Sequence, residues 1–441
     1  MAPFKINKKL ILMKACFFIF DSGTAPINTF LPTIAKERGM PVFVVGLILT
    51  FVPILNVLVR PFAGFTTDRW RCRRAVFLGA SLANVFLTPA LHIIPSLTDQ
   101  QKADGVDVWT TYGFWLFLLV ITLRMTLWMI GDVLQDTICM GILGKDTAKY
   151  GGQRIFGAVG WGISSAFVGW CVDLYSKGQP VKDYLPAYIF SMVLSIIHFV
   201  VASRLDTSQN ASTKNDKSVG KVLKDVKVAF FLVWATIAGV FTAFVWYYLF
   251  IHIEHLTEFY HPERKPWIKT IEGFSFTVQC CIGELPIYVM SDIILKKIGH
   301  MTAFSVSFVM FSIRFFLYSI IKDPVWILPV ELINGVSFAM AFLSGISYAA
   351  KVAPAGSEGT LQGLFGMAFQ GLGISLGCFV AGYTFDTMGS SKSFQLMSYV
   401  AFIAFAIQVV VNRLVQSRKT NNARQKQIES NEIDLCQKEL L

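Results

Sequence analysis

Charge is scarce in this chain: only 15% of its 441 residues are Asp, Glu, Lys or Arg, while 54% are hydrophobic. That balance lies outside the range of soluble globular domains and makes lipid the main solvent. Cysteine chemistry is missing too. The eight cysteines fall mostly inside apolar runs (Cys16, Cys139, Cys171, Cys280, Cys281, Cys378), where they act as small apolar side chains, and no disulfide or zinc spacing appears. The histidines (His92, His198, His252, His255, His261, His300) offer only the weak pair His252-x-x-His255. No phosphate-binding glycine loop and no nucleophile triad is present. The expectation is therefore no enzyme, no cofactor and no metal, with any uphill work drawn from an ion gradient. The first apolar run also lacks a small-residue cleavage site, so it reads as a retained helix.

What the chain has is apolar length. Twelve runs long enough to cross a bilayer lie at about 10–34, 42–63, 75–95, 112–140, 151–173, 186–203, 228–252, 268–290, 302–321, 325–350, 359–384 and 393–415. About 20 apolar residues span a hydrocarbon core of roughly 30 Å, so these runs leave no room for a separate soluble domain. The fold class expected is all-α: a polytopic membrane protein with twelve transmembrane helices. The formal net charge of +11 does not point to nucleic acid, because the basic residues gather in alternate loops. Lys5, Lys8 and Lys9 precede the first run; Arg69, Arg71, Arg73 and Arg74 follow the second; Arg418, Lys419, Arg424 and Lys426 follow the last. Both termini are thus expected in the cytoplasm. The 96–110 connection, with Asp99, Asp104 and Asp107 against Lys102, belongs on the other side, and the Asn210-Ala211-Ser212 sequon on the cytoplasmic side should stay unglycosylated. Plasma membrane and endomembrane remain equal readings.

The longest polar connection, 204–227, separates two sets of six runs. Residues 1–203 and 228–415 are expected as two six-helix bundles joined by this cytoplasmic linker, with a cytoplasmic tail from 416 to 441. Such a layout matches transporters built from repeated bundles, whose binding site lies near the midplane between them. The fifth and eleventh runs are glycine-rich, and Gly373-x-x-x-Gly377 has the spacing of a close packing face; static packing and sliding helices are both consistent with it. The terminal Leu440-Leu441 pair is common enough to carry no argument.

An ionisable side chain in hydrocarbon costs at least about 2.5–3.5 kcal/mol and persists mainly where it faces a wet cavity or a partner. Arg124, Asp132, Asp136, Arg154, Glu284, Arg314 and Glu331 are such residues. Asp136 and Arg154 are equidistant from Lys145, the middle of the loop joining their runs, so an antiparallel helix pair holds them at one depth. Asp132, Trp128 and Arg124 continue the face of Asp136 at every fourth position. A bidentate Arg–carboxylate pair presents fixed donors and acceptors to a polar ligand, and an aromatic face beside it adds an apolar platform. A salt bridge with a purely structural role fits the same residues. Glu331 lies in the tenth run with Asn334 and Ser337 after it. A carboxyl group in apolar surroundings can bind and release a proton near neutrality, although a neutral, hydrogen-bonded Glu331 is the alternative.

Gly64-Phe65-Thr66-Thr67-Asp68-Arg69, followed by Arg71, Arg73 and Arg74, resembles the loop motif of the major facilitator superfamily, departing from it at Arg71, where glycine is usual. The resemblance implies a gating contact between Asp68 and the start of the eleventh helix, where unpaired N–H groups favour an anion. YGGQRIFGAVGW at 150–161 resembles the fifth helix of the lactose-permease-like oligosaccharide:proton symporters. It implies that Arg154 binds sugar, that Trp161 stacks on the sugar ring, and that Asp136 is the partner carboxylate. The same resemblance makes Glu284 and Arg314 coupling residues, with a shorter spacing between them here, and sets Asn334 and Ser337 opposite the family's histidine and glutamate. The usual proton carrier is therefore missing, and Glu331 is the candidate to replace it. WILPVELINGVSF at 326–338, the Ala353-Pro354 turn and Gln362-Gly363 are similar to the animal major facilitator superfamily domain-containing protein 6 group. These features together imply a monomeric secondary transporter that couples a small polar solute to protons by alternating access. A non-transporting receptor or scaffold on the same fold and an uncoupled uniporter are its rivals.

Overall fold

A computed structural model describes residues 8–97, 107–143, 150–179, 181–205, 226–352 and 358–439. The Asp99 to Asp104 stretch, Lys145, the Asn210 sequon, the Ala353-Pro354 turn and Leu440-Leu441 lie outside the described residues, as do the side chains of Gly64 and Asp68.

In hydrocarbon every backbone N–H and C=O must be satisfied within the segment, which leaves apolar runs of this length only the helix. The chain follows that rule. Its membrane-length helices are α1 (Lys8–Glu37), α2 (Val42–Arg69), α3 (Arg73–Ile93), α4 (Tyr112–Leu143), α5 (Gly151–Tyr175), α6 (Leu185–Ser203), α7 (Val226–Tyr260), α8 (268–298), α9 (His300–Ile320), α10 (Pro324–Val352), α11 (358–388) and α12 (Ser390–Glu439). Among the described residues, ten of them are long and apolar enough to cross a membrane. The expected second and eighth spans fall in α2 and α8. The protein is an all-helical, multi-pass integral membrane protein.

Among the described residues, three membrane-length helices contain π segments, all of them late in the chain. Val278–Glu284 in α8, Gly335–Ala339 in α10 and Met367–Gly373 in α11 are π-helical, and a 3-10 turn at Glu331–Ile333 precedes the second of these. Bulges of this kind concentrate at functional sites. Here Glu284 ends the first π segment, Glu331 opens the 3-10 turn, and Asn334 immediately precedes the second π segment.

Small residues let helices from the two ends of the chain approach closely. Gly46 of α2 packs on the backbone of Gly382 in α11, Gly169 of α5 on the Lys269 carbonyl at the start of α8, and Gly273 of α8 on the backbone of Ser165 and Ala166. An apolar core continues through these contacts, dense in phenylalanine among α7, α9 and α12, where Phe241, Phe244, Phe308, Phe315 and Phe394 pack ring on ring.

Where the loop after α2 departs from the superfamily motif, the backbone keeps the geometry that glycine supplies. Arg71 has φ 51°, a left-handed conformation that costs an L-residue about 1–2 kcal/mol. The Cys72 N–H donates to the Thr67 carbonyl at 3.2 Å and the Trp70 N–H to the Thr66 carbonyl at 3.0 Å. Helix α2 thus ends in a left-handed terminating turn normally occupied by glycine.

Candidate functional site

Arg154, in the first turn of α5, reaches three carboxylates. Its Nη1 lies 2.8 Å from Asp132 Oδ1, 3.7 Å from Asp21 Oδ2 and 3.9 Å from Asp136 Oδ1. Asp132 and Asp136 project from α4 one turn apart, and Asp21 comes from the middle of α1. The pair expected from loop symmetry meets, but its order is different: Asp132 is the nearest partner and Asp136 the farthest. Nor is the contact the expected bidentate one, since Arg154 Nη1 and Asp132 Oδ1 lack hydrogen-bond geometry. The Arg154 side chain is 36% exposed whereas Asp21 is only 7% exposed. The guanidinium is held by charge and by the Phe17 ring, 5.3 Å away, and its buried Nη1 makes no directed hydrogen bond among the described residues, which leaves donor capacity unused. Gly157, one turn along α5, leaves the space that Asp21 occupies. Two turns along from Arg154, Trp161 meets Trp128 of α4, ring centres 6.3 Å apart, and forms an aromatic wall beside the charges.

The later helices carry a second polar network, and it joins the four residues assigned to coupling. Arg314 of α9 donates to Glu331, to Asn334 Oδ1 at 2.5 Å, to Ser337 Oγ at 3.2 Å and to the Tyr318 hydroxyl at 2.7 Å. Tyr318 donates in turn to Glu331, and the Asn334 amide donates to Glu284 Oε1 at 2.7 Å. Arg314, Glu331 and Asn334 are fully buried and Glu284 nearly so. One guanidinium thus faces two carboxyl groups, one directly and one through an amide. That arrangement can hold a proton on a carboxyl or release it while keeping every donor paired. Cys280 and Cys281, in the π segment that ends at Glu284, pack on Gly162 of α5. This contact sets the second network beside the helix that carries Arg154.

Arg124 does not join the Arg154 cluster. About two turns before Asp132 in α4, it is buried among α1 and α3, donating to Asn28 Oδ1 at 2.6 Å and Thr88 Oγ1 at 3.3 Å. Of the gating motif, Arg69 is exposed and Arg73 opens α3. His252 bonds to Ser390 and to the Tyr318 carbonyl, which takes it out of the weak histidine pair.

Sequence reasoning missed Asp21, although a carboxylate inside the run 10–34 is subject to the same cost as Asp132. It also missed a charged cluster at the end of the molecule away from the termini. Lys269 of α8 lies 2.5 Å from Glu254 of α7, which also pairs with Lys36 of α1 at 3.0 Å; Glu272 and the Tyr184 ring complete the surroundings of Lys269. Beside it, Asp173 of α5 accepts from the Lys269 N–H at 3.3 Å and from the Thr270 N–H and hydroxyl, each at 2.7 Å, while Lys182 pairs with it at 2.7 Å. Helix α8 has no cap of its own at residue 267; its first N–H groups are satisfied by a carboxylate from another helix. These contacts fasten α1 and α5 to α7 and α8.

A helical membrane body with two internal charge networks and one end tied together by ion pairs is consistent with a transporter. Residues 10–396 match the MFS_1 like family, and the chain belongs to that family; it is a multi-pass membrane transporter of the major facilitator superfamily. Over 424 residues it is 19% identical to the uncharacterized transporter YwbF of Bacillus subtilis (strain 168), covering 94% of this chain and 96% of that one. It is 21% identical over 379 residues to the maltose permease of Geobacillus stearothermophilus, covering 84% and 85%. Among solved structures, the nucleoside transporter NupG superposes with a TM-score of 0.73 at 16% identity over 91% of this chain and 99% of that one. A structure described as giving insights into substrate recognition in proton dependent oligopeptide transporters gives 0.68 at 12% identity over 92% and 99%. At these identities the two structures establish the fold alone.

Proposed function

We propose that the protein is a proton-coupled secondary transporter of a small polar, hydroxylated or charged solute, working by alternating access between two six-helix bundles. It is read as a monomer of the lactose-permease-like branch, closest to the domain-containing protein 6 group, with twelve spans and both termini cytoplasmic. The observation that carries this reading is the Arg154 cluster: a part-exposed arginine side chain whose buried Nη1 faces Asp21, Asp132 and Asp136 without a directed hydrogen bond, beside the Trp128–Trp161 wall. Glu331 is the proposed proton carrier and Glu284 the second carboxyl of the same relay. With Glu254, Lys269 and Asp173 joined, the end away from the termini is closed, and the solute enters and leaves from the terminal side in this conformation.

Proteoliposomes given an imposed pH gradient and a panel of labelled solutes test the reading. A solute should accumulate only with the gradient, and Arg154→Ala and Asp132→Ala should abolish its binding while Trp161→Ala weakens it. Glu331→Gln should lose accumulation yet keep solute exchange. Gradient-driven accumulation by Glu331→Gln would remove that residue from coupling. Undiminished binding by Arg154→Ala would refute the site.

A further inference from the structure

Within the first six helices lies a small cavity that neither network uses. It is lined by the polar residues Thr24 of α1, Ser81, Asn84 and Thr88 of α3, Arg124 and Trp128 of α4, and Ser195 and His198 of α6, with Ile19, Phe20 and Gly23 of α1 completing the wall; the His198 ring is already bonded to Ser81 and Gln135. Arg124 is 3% exposed and makes no ion pair among the described residues; its two bonds go to neutral acceptors, Asn28 Oδ1 and Thr88 Oγ1. A guanidinium cannot shed its proton in a protein, and a buried charge without a counter-charge is costly.

The atoms left over around it are mainly donors. Because Arg124 donates to Asn28 Oδ1, the orientation of that amide is fixed and Nδ2 remains; Asn28 is 5% exposed and its Nδ2 is buried without a partner. Trp128 Nε1 is likewise buried without a partner. Asn84 Oδ1 is the one lining acceptor in that state, since its own amide donates to the Ala80 carbonyl at 3.1 Å. A cation, spare guanidinium and amide N–H groups and an indole N–H, with no carboxylate among them, suit an acceptor-only guest of one negative charge. We propose that this cavity is a binding site for a small monovalent anion, a halide or a compact carboxylate, held by Arg124 and Trp128, with Asn28 positioning the guanidinium from behind the lining and one accompanying water on Asn84. Trp128 also forms the wall shared with Trp161, so an occupant here would touch the rear of the aromatic platform without lying among the charges around Arg154.

The test uses purified protein in detergent at fixed ionic strength and needs no transport, so it stands or falls apart from the proposed solute coupling. Sodium gluconate is exchanged for sodium chloride, or for sodium acetate, while Tm is recorded. A saturable rise in Tm with chloride assigns a halide, and one with acetate a carboxylate; either supports the site. The rise should vanish in Arg124→Gln and need a higher anion concentration in Asn28→Leu, which keeps the cation. Flat or non-saturating titrations of the unaltered protein with both anions would overturn the proposal, whatever the variants do. So would an equal saturable rise in Arg124→Gln.

Discussion

Replacing Asp173 with alanine should open the end of the molecule away from the termini. Its side chain is fully buried and caps helix α8 from α5, accepting from two backbone N–H groups and the Thr270 hydroxyl while pairing with Lys182. A helix cap is worth about 1 kcal/mol, and a hydrogen bond to a charged group about 1.5–3 kcal/mol. These contributions share one carboxylate and do not add, so about 2–4 kcal/mol is the reasonable range for the closed state. When the end opens, water reaches both the carboxylate and the freed amides, so the closed conformer alone is penalised. At ~1.4 kcal/mol per decade, the closed-to-open ratio should fall roughly 30- to 700-fold. Ser165, fully buried where α5 meets Gly273 of α8, reports on the change. In a cysteine-depleted Ser165→Cys background, a membrane-impermeant maleimide applied from that side should react much faster once Asp173→Ala is added. Asp173→Asn keeps one acceptor oxygen and should fall between. Indistinguishable alkylation rates in all three backgrounds would refute the latch and leave Asp173 as a cap with no bearing on conformation.

Other perturbations follow from the same geometry. Arg314→Ala strands Glu331 as a buried carboxylate and should cost about 3–5 kcal/mol of stability; Arg314→Met with Glu331→Leu should recover most of the lost Tm while gradient-driven accumulation stays absent. Arg71→Gly relieves a left-handed arginine and should raise stability by about 0.5–1 kcal/mol, less than the full strain because glycine loses more chain entropy on folding; a lower Tm would show that the turn is held by the arginine side chain instead. Exchanging the charges, Asp132→Arg with Arg154→Asp, should restore folding but not solute binding; recovered transport would reduce the cluster to a structural bridge.

The helices were legible because lipid leaves so few alternatives: an uninterrupted apolar run of sufficient length has to pair its backbone internally. Loop symmetry around Lys145 brought Arg154 to the depth of the α4 carboxylates. It could not choose between Asp132 and Asp136, because that choice depends on how each helix is turned about its own axis. The Glu331–Arg314–Asn334–Glu284 network was readable as a set, since each member is a polar residue inside an apolar run. Tyr318 was not, because tyrosine in such a run looks like ordinary aromatic packing. The cluster of Lys36, Asp173, Glu254 and Lys269 escaped for a different reason. Each lies near the end of a run, where charge needs no explanation, and its meaning arises only when helices far apart in the chain are brought together.

The π segments of α8, α10 and α11 give the later helices a form of slack. Each holds a residue more than the surrounding helical register requires. Moving such an extra residue along the helix by one position trades one set of backbone bonds for another, and turns the side chain it passes by roughly 100° about the axis. Glu284 sits at the last position of one such segment, and Asn334 immediately precedes another. A shift of a single peptide unit would therefore re-aim either side chain while both ends of its helix stay anchored in their loops, letting the buried carboxyl group exchange partners without displacing the body of the bundle.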